Sequence, residues 1–177
     1  EDDITQGVFR PAYKSIYKAA LDEKNRLIAF SVRGAGLPNG PVFPNRFPAG
    51  AIENYKAENI SSYTNISTGA WRAPKSNFTA GAEQAFLDEV AESCKQDPIE
   101  FRIELLNRVL DKPIGSNLNY EPKRFVDVLK LVRDKSGWDD KTNKSMGVSS
   151  YFCHNTYVAE VIDMELVEDQ PKIKNIW

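Results

Sequence analysis

The residues best suited to chemistry stand at one corner of the chain, Gly69-Ala70-Trp71-Arg72-Ala73-Pro74-Lys75, directly ahead of a strong helical pattern. The start of a helix presents backbone N–H groups that have no intrahelical partner, together with the positive end of the helix dipole. Arg72 adds a permanent charge on a planar fork of donors. Ser76 and Asn77 stand where a side chain caps the helix or donates outward. Such a corner suits an anionic or oxo-rich ligand lying over the turn. The same residues also describe an ordinary helix start in which Trp71 packs and Arg72 makes surface contacts.

Other chemistry-bearing residues are scattered. His154 is the single histidine, so no His-rich metal site and no Ser-His-Asp arrangement can be built, and it reads as a surface or hydrogen-bonded histidine. Cys153 reads as a small core residue rather than a nucleophile. Cys94 and Cys153 lie too far apart in sequence to suggest a disulfide framework or a zinc pattern. Glu83, Asp88, Glu89 and Glu92 share one helical stretch and read as its solvated face. Gly34-Ala35-Gly36 is half of a dinucleotide fingerprint, but a Pro follows where a helix should begin. The Asn-x-Ser/Thr triplets at Asn59, Asn65 and Asn77 are patterns that occur readily by chance.

The elements that must position these residues are legible from periodicity. Residues 12–33 predict a β-hairpin with Ile28, Phe30 and Val32 on one face and a turn at Asp22-Glu23-Lys24-Asn25. The segment 34–50 is rich in Pro and Gly and reads as a long irregular loop with few backbone hydrogen bonds, hence the most mobile interior segment. A strand is expected within 58–67. A helix is expected over 78–95, with Ala82, Phe86, Val90 and Cys94 on one stripe, widened by Leu87 and Ala91. A second helix starts with Asp97 as cap, Pro98 at its first position and Glu100 closing a capping box, and runs to about Val109. A third, through Phe125, Val128, Leu129 and Val132, stops at Gly137. Residues 145–177 return to strands, with a turn at Glu168-Asp169-Gln170-Pro171. The order, strands over 1–68, helices over 78–137 and strands over 145–177, predicts an α+β fold with helices on a largely antiparallel sheet.

Composition bounds the function. The chain has 177 residues, 41% hydrophobic and 27% charged, which suffices for a core without disulfides or metal. A net charge of −2 argues against nucleic acid or an anionic membrane as partner. No apolar run approaches the roughly 20 residues that span a bilayer. The chain reads as an internal piece of a larger protein, so its compartment is not readable.

Several runs, in order, resemble the large, molybdenum-binding subunit of the xanthine dehydrogenase and aldehyde oxidase family. They are "GAWRAP", "SNF", "AEQAFLDEVAE" and "DPIEFRIELLN", flanked by "EDDITQGVFRPAYKSIYKAALDEKNRLIAF", "YKAENI" and "YVAEVIDMEL…KIKNIW". The Trp-Arg version of the turn is similar to the isoquinoline 1-oxidoreductase β-subunit branch. The family hydroxylates an electrophilic carbon of N-heteroaromatics or aldehydes, with a Glu taking a proton and electrons leaving through iron–sulfur clusters. The resemblance implies that Trp71, Arg72 and Ala73 approach a molybdopterin, in the cytosine dinucleotide form. It implies Arg46, Pro74 and Phe152 as substrate-pocket residues. It also departs from the family's familiar pattern, because Ala73-Pro74-Lys75 stands where Gly-Phe follows the Arg, so no aromatic wall comes from there. The catalytic Glu, the Gly-rich cofactor loops and the cluster cysteines would lie outside these residues. The partners implied are the rest of the large subunit, a small iron–sulfur subunit and a small-molecule substrate, in a bacterial periplasmic or cytoplasmic enzyme. The piece alone would be inert and hold no metal. The alternative is a non-catalytic α+β ligand-binding or interaction module.

Overall fold

The computed structural model describes residues 7–70, 72–115, 117–138 and 145–177. Trp71, Ser116, the opening residues 1–6 and the segment 139–144 lie outside the described residues. Strands β1 (Tyr13–Leu21), β2 (Leu27–Gly36) and β3 (Asn54–Ser61) form one three-stranded sheet in that order. Helices α1 (Ser76–Ser93), α2 (Pro98–Asp111) and α3 (Pro122–Ser136) follow. Strands β4 (Met146–Cys153), β5 (Thr156–Val167) and β6 (Gln170–Ile176) form a second three-stranded sheet. This is the α+β arrangement expected, with two small sheets in place of one.

The first hairpin forms as predicted. β1 and β2 pair antiparallel from Tyr13↔Gly36 to Leu21↔Leu27, and Asn25 takes φ 58 in the turn. Phe30 and Val32 are buried, but Ile28 is 43% exposed and Leu27 is buried in its stead. A register irregularity at Ala20/Leu21 accounts for the change, because one step in register exchanges the faces of a strand. β3 runs parallel to β2, from Ala29↔Asn54 to Gly36↔Ser61. It therefore begins earlier than the strand expected over 58–67 and stops at Ser61, where β2 ends.

The long connection between β2 and β3 is not a loose loop. Pro41, Val42, Phe47, Ala49, Ala51 and Ile52 are buried. Asn59 on β3 grips it from the side: its Oδ1 accepts from Val42 N (2.9 Å) and its Nδ2 donates to Val42 O (2.8 Å). Asn119 N donates to Asn45 O, Ile114 N to Gly50 O, and the Tyr120 hydroxyl to Ala49 O. Backbone groups without a ladder have thus found partners on distant elements, as buried polar groups must. The expected shortage of hydrogen bonds is corrected by these long-range contacts, which local composition does not encode.

Helices α2 and α3 start and stop as expected. Asp97 Oδ1 accepts from the N–H groups of Ile99 and Glu100, both at 2.9 Å, and Gly137 closes α3 at φ 65. Glu100 does not complete the capping box. It binds Arg133 of α3 at 2.7 Å, while Asp97 Oδ2 accepts from Trp138 Nε1 at 2.6 Å, so the cap becomes a joint between two helices. α1 is held from within by Arg102 of α2, whose side chain is fully buried. Arg102 donates from Nε to Gln84 Oε1 (3.1 Å), from Nη2 to Gln84 O (3.2 Å) and from Nη1 to Pro98 O (2.9 Å), and it pairs with Asp88 at 2.7 Å. Gln84 Oε1 also accepts from Ser150 N of β4 at 3.0 Å. One amide oxygen therefore sets α1 against both α2 and the second sheet. Asp88, expected on a solvated face, is drawn into this network.

Candidate functional site

The start of α1 is where the candidate residues meet. Arg72 and Pro74 are exposed, and Ala73 is half-buried with φ 52. A left-handed conformation costs a non-glycine residue about 1–2 kcal/mol, so the surrounding structure must enforce this turn. The turn is stitched by Asn77, whose Nδ2 donates to Arg72 O (3.1 Å) and whose N–H donates to Ala73 O (3.0 Å). Phe78 N and Thr79 N both bond Lys75 O. Asn77 and Phe78 amides, free in an ideal helix start, are thus engaged, which narrows the donor set expected from the helix end.

Arg46, from the β2–β3 connection, reaches this same place. Its guanidinium lies 3.7 Å above the Phe43 ring centroid, 5.9 Å from that of Tyr151 and 5.6 Å from that of Phe152. Its Nη1 donates to Ser76 Oγ (3.3 Å) and to Tyr151 Oη (3.4 Å). Lys75 Nζ stands 6.0 Å from the same Phe43 ring. The structure therefore brings Arg46, Phe152 and the beginning of α1 together, with Arg72 and Pro74 on the exposed rim. A planar cation stacked on an aromatic face is held in a set orientation at modest entropic cost.

Cys153 closes the other side of this cluster. Its Sγ lies 3.3 Å from Ser76 Oγ and 2.8 Å from His154 Nδ1. His154 and Asn155 occupy the β4–β5 turn with φ 51 and 58. The sequence reading of Cys153 as a core residue is thereby amended: it is half-buried beside the histidine, at the edge of the site. No group of three or more His, Cys, Asp or Glu able to hold a metal occurs among the described residues.

Sequence reasoning missed Glu83. It was placed with a solvated face, yet it lines a cavity shared with Tyr17, Val42, Phe43, Arg46, Tyr55, Thr79 and Tyr151. The residue is half-buried, with its side chain lining the cavity wall. Burial raises its pKa to about 8, against the lowering pull of the nearby Arg46, Gln84 and Arg102. Burial likewise raises Tyr17 and Tyr55, with Glu83 adding to both, so the phenols stay neutral. Thr79 Oγ1 and Tyr151 Oη share a hydrogen bond of 2.9 Å at the cavity wall. A signal existed. Ser76, Thr79 and Glu83 follow the 3–4 spacing that continues into Phe86, Leu87 and Val90, so the buried stripe of α1 extends toward its start through polar residues.

The sequence matches no protein-family model and no curated protein. The fold, however, is one that occurs as a segment of larger oxidoreductases. About four-fifths of the chain superimposes on the aldehyde oxidoreductase from Desulfovibrio desulfuricans ATCC 27774, with TM-score 0.53 and 15% identity, covering 80% of this chain and 18% of that one. The aldehyde oxidoreductase from Desulfovibrio gigas matches with TM-score 0.51 and 17% identity, again over 80% and 18%. Quinoline 2-oxidoreductase from Pseudomonas putida 86 matches with TM-score 0.50 and 16% identity, over 78% and 21%. The chain therefore spans about a fifth of the length of each of these enzymes, and at such identity the likeness is one of fold.

Proposed function

We propose that the chain is part of the large subunit of a molybdenum hydroxylase, in which it contributes cofactor and substrate contacts. The reading is supported above all by the fold shared with segments of two different oxidoreductases. That likeness is one of fold, and the short motifs quoted from the sequence add to it. The residues of the corner fit the group. Arg72 is an exposed cation, Ala73 is held in a conformation it resists, and Arg46 offers a second, oriented cation behind it. Oriented cations suit the phosphate and oxo groups of a molybdopterin dinucleotide.

A molybdopterin supplies oxygen-atom transfer and two-electron chemistry when bound. This chain's share is to bind and orient. Arg72 and the turn at Ala73 would hold the cofactor's anionic edge, with Trp71 beside them by sequence. Arg46, Pro74 and Phe152 would border the substrate. Phe152 is buried and Arg46 is stacked, so the polar group of an aldehyde or N-heteroaromatic meets a preset donor. The cytosine dinucleotide form, the isoquinoline-type branch, a small iron–sulfur subunit as partner and a bacterial origin belong to the same reading.

The test is made in the whole enzyme. Arg72→Ala should lower turnover by about 10²–10³-fold, the cost of one preorganised donor beside developing charge. Folding should change by about 0–1 kcal/mol, as for an exposed arginine. Arg72→Lys should restore only part, because an ammonium cannot reproduce the planar fork. Near-normal turnover of Arg72→Ala with full molybdenum content would return the corner to an ordinary helix start.

A further inference from the structure

The cavity behind the corner holds two opposite groups that face each other without pairing. Arg46 Nη1 is engaged by Ser76 and Tyr151, but Arg46 Nε is buried with no hydrogen-bond partner among the described residues. Glu83 lines the same cavity from α1, and no ion pair within 4 Å joins it to Arg46 among the described residues. The void they share is ≈ 10 Å³. That is about the space of a single water, which needs polar partners to reside there. An orphaned guanidinium N–H and the carboxyl of half-buried Glu83 supply them.

The groups around Glu83 come from every element that encloses it. Arg46 faces it from the β2–β3 connection, Tyr17 from β1, Tyr55 from β3, Tyr151 from β4 and Arg102 from α2, with Gln84 beside it on α1. The phenols are neutral, so the charge balance of the cavity rests on one carboxyl and two guanidiniums. Arg102 is already committed to Gln84, Pro98 and Asp88. Arg46 is the group able to respond.

We propose that Glu83 and Arg46 form a proton-operated latch between α1 and the segment joining β2 to β3. With Glu83 protonated, it is a neutral hydrogen-bond partner, and Arg46 stays turned to Ser76 and Tyr151. When Glu83 releases its proton to solvent, its carboxylate attracts the vacant Arg46 Nε across the water-sized gap. The guanidinium then shifts its weight from the start of α1 to the body of that helix. The shift weakens the two hydrogen bonds that Arg46 Nη1 now makes, to Ser76 Oγ at the start of α1 and to Tyr151 Oη on β4. The latch is a property of this chain and holds whether or not the proposed cofactor reading stands.

The experiment is a pH titration of the 177-residue chain by NMR, following the Glu83 side-chain carboxyl carbon and the Arg46 Nε–H together. Glu83→Gln assigns the first resonance. The expected result is a carboxyl midpoint near the alkaline value set by burial, about 8, with the Arg46 Nε–H moving at the same midpoint. In Glu83→Gln the Arg46 signal should become independent of pH over that range. Arg46→Met should move the Glu83 midpoint upward, since the cation that favours the carboxylate is gone. A Glu83 midpoint in the ordinary carboxylate range, or an Arg46 Nε–H that ignores the Glu83 titration, would overturn the latch. The wild-type titration decides the matter even if a variant fails to fold.

Discussion

Replacing Gln84 by Ala should be among the most damaging single changes on α1, although the residue is neutral and touches no candidate ligand. Its side-chain oxygen accepts from Arg102 Nε at 3.1 Å and from Ser150 N at 3.0 Å, both in the buried interior. The first is a hydrogen bond to a charged group, worth about 1.5–3 kcal/mol, and leaving the Ser150 N–H buried without a partner costs about 1–3 kcal/mol more. Arg102 keeps Pro98 O, Gln84 O and Asp88, so the guanidinium is not wholly abandoned. The expected loss is therefore about 3–5 kcal/mol, or a fall of roughly 6–20 °C in the thermal midpoint for a domain of this size. The assay is urea unfolding followed by far-UV circular dichroism, with the slope checked for constancy. Arg102→Met, which removes the charge and leaves a flexible apolar chain in its space, should cost less than Arg102→Ala, which leaves a cavity. A cycle with Gln84→Ala and Arg102→Met should show coupling of about 0.5–3 kcal/mol. A loss below about 1 kcal/mol for Gln84→Ala would mean that water replaces the amide oxygen, and the joint between α1, α2 and β4 would not depend on it.

Three further outcomes follow from the same structure. Glu83 has a folded pKa near 8, above its ordinary 4.5, so the folded state holds a proton that the unfolded chain has lost; its contribution is complete below about pH 4.5 and declines as pH rises to 8. The full decline is at most about 5 kcal/mol, and Glu83→Gln should flatten it, raising the melting temperature at pH 8 more than at pH 5; equal shifts at both would contradict the burial argument. Asn59→Ala should cost about 1–3 kcal/mol and speed amide exchange at Val42, whose N–H and C=O both lose their partner; unchanged exchange there would show that the connection is held elsewhere. Purified as it stands, the chain should hold no stoichiometric molybdenum, because one basic turn supplies a small part of a cofactor's contacts, and elemental analysis checks this.

The sequence by itself determined the parts whose cause is local. The Asn25 turn follows from a residue that tolerates positive φ, α2 from Asp97 and Pro98 at its start, and the end of α3 from Gly137. The α+β order follows from where the apolar period changes from two to 3–4 residues. The candidate corner was legible as an Arg ahead of a helix, though Trp71 lies outside the described residues. What only the tertiary structure decided are the contacts made across long spans of chain. Arg46 and Tyr151 are far apart in sequence, and nothing local brings their rings and donors to Ser76. The parallel placing of β3 and the packed state of the connection before it depend on Asn59 meeting Val42. Glu83 shows the reason most clearly. A carboxylate on a helix is read as solvated because exposure is its lowest-energy state in isolation, and only the strands, the connection and the neighbouring helix closing around it make it neutral and alkaline.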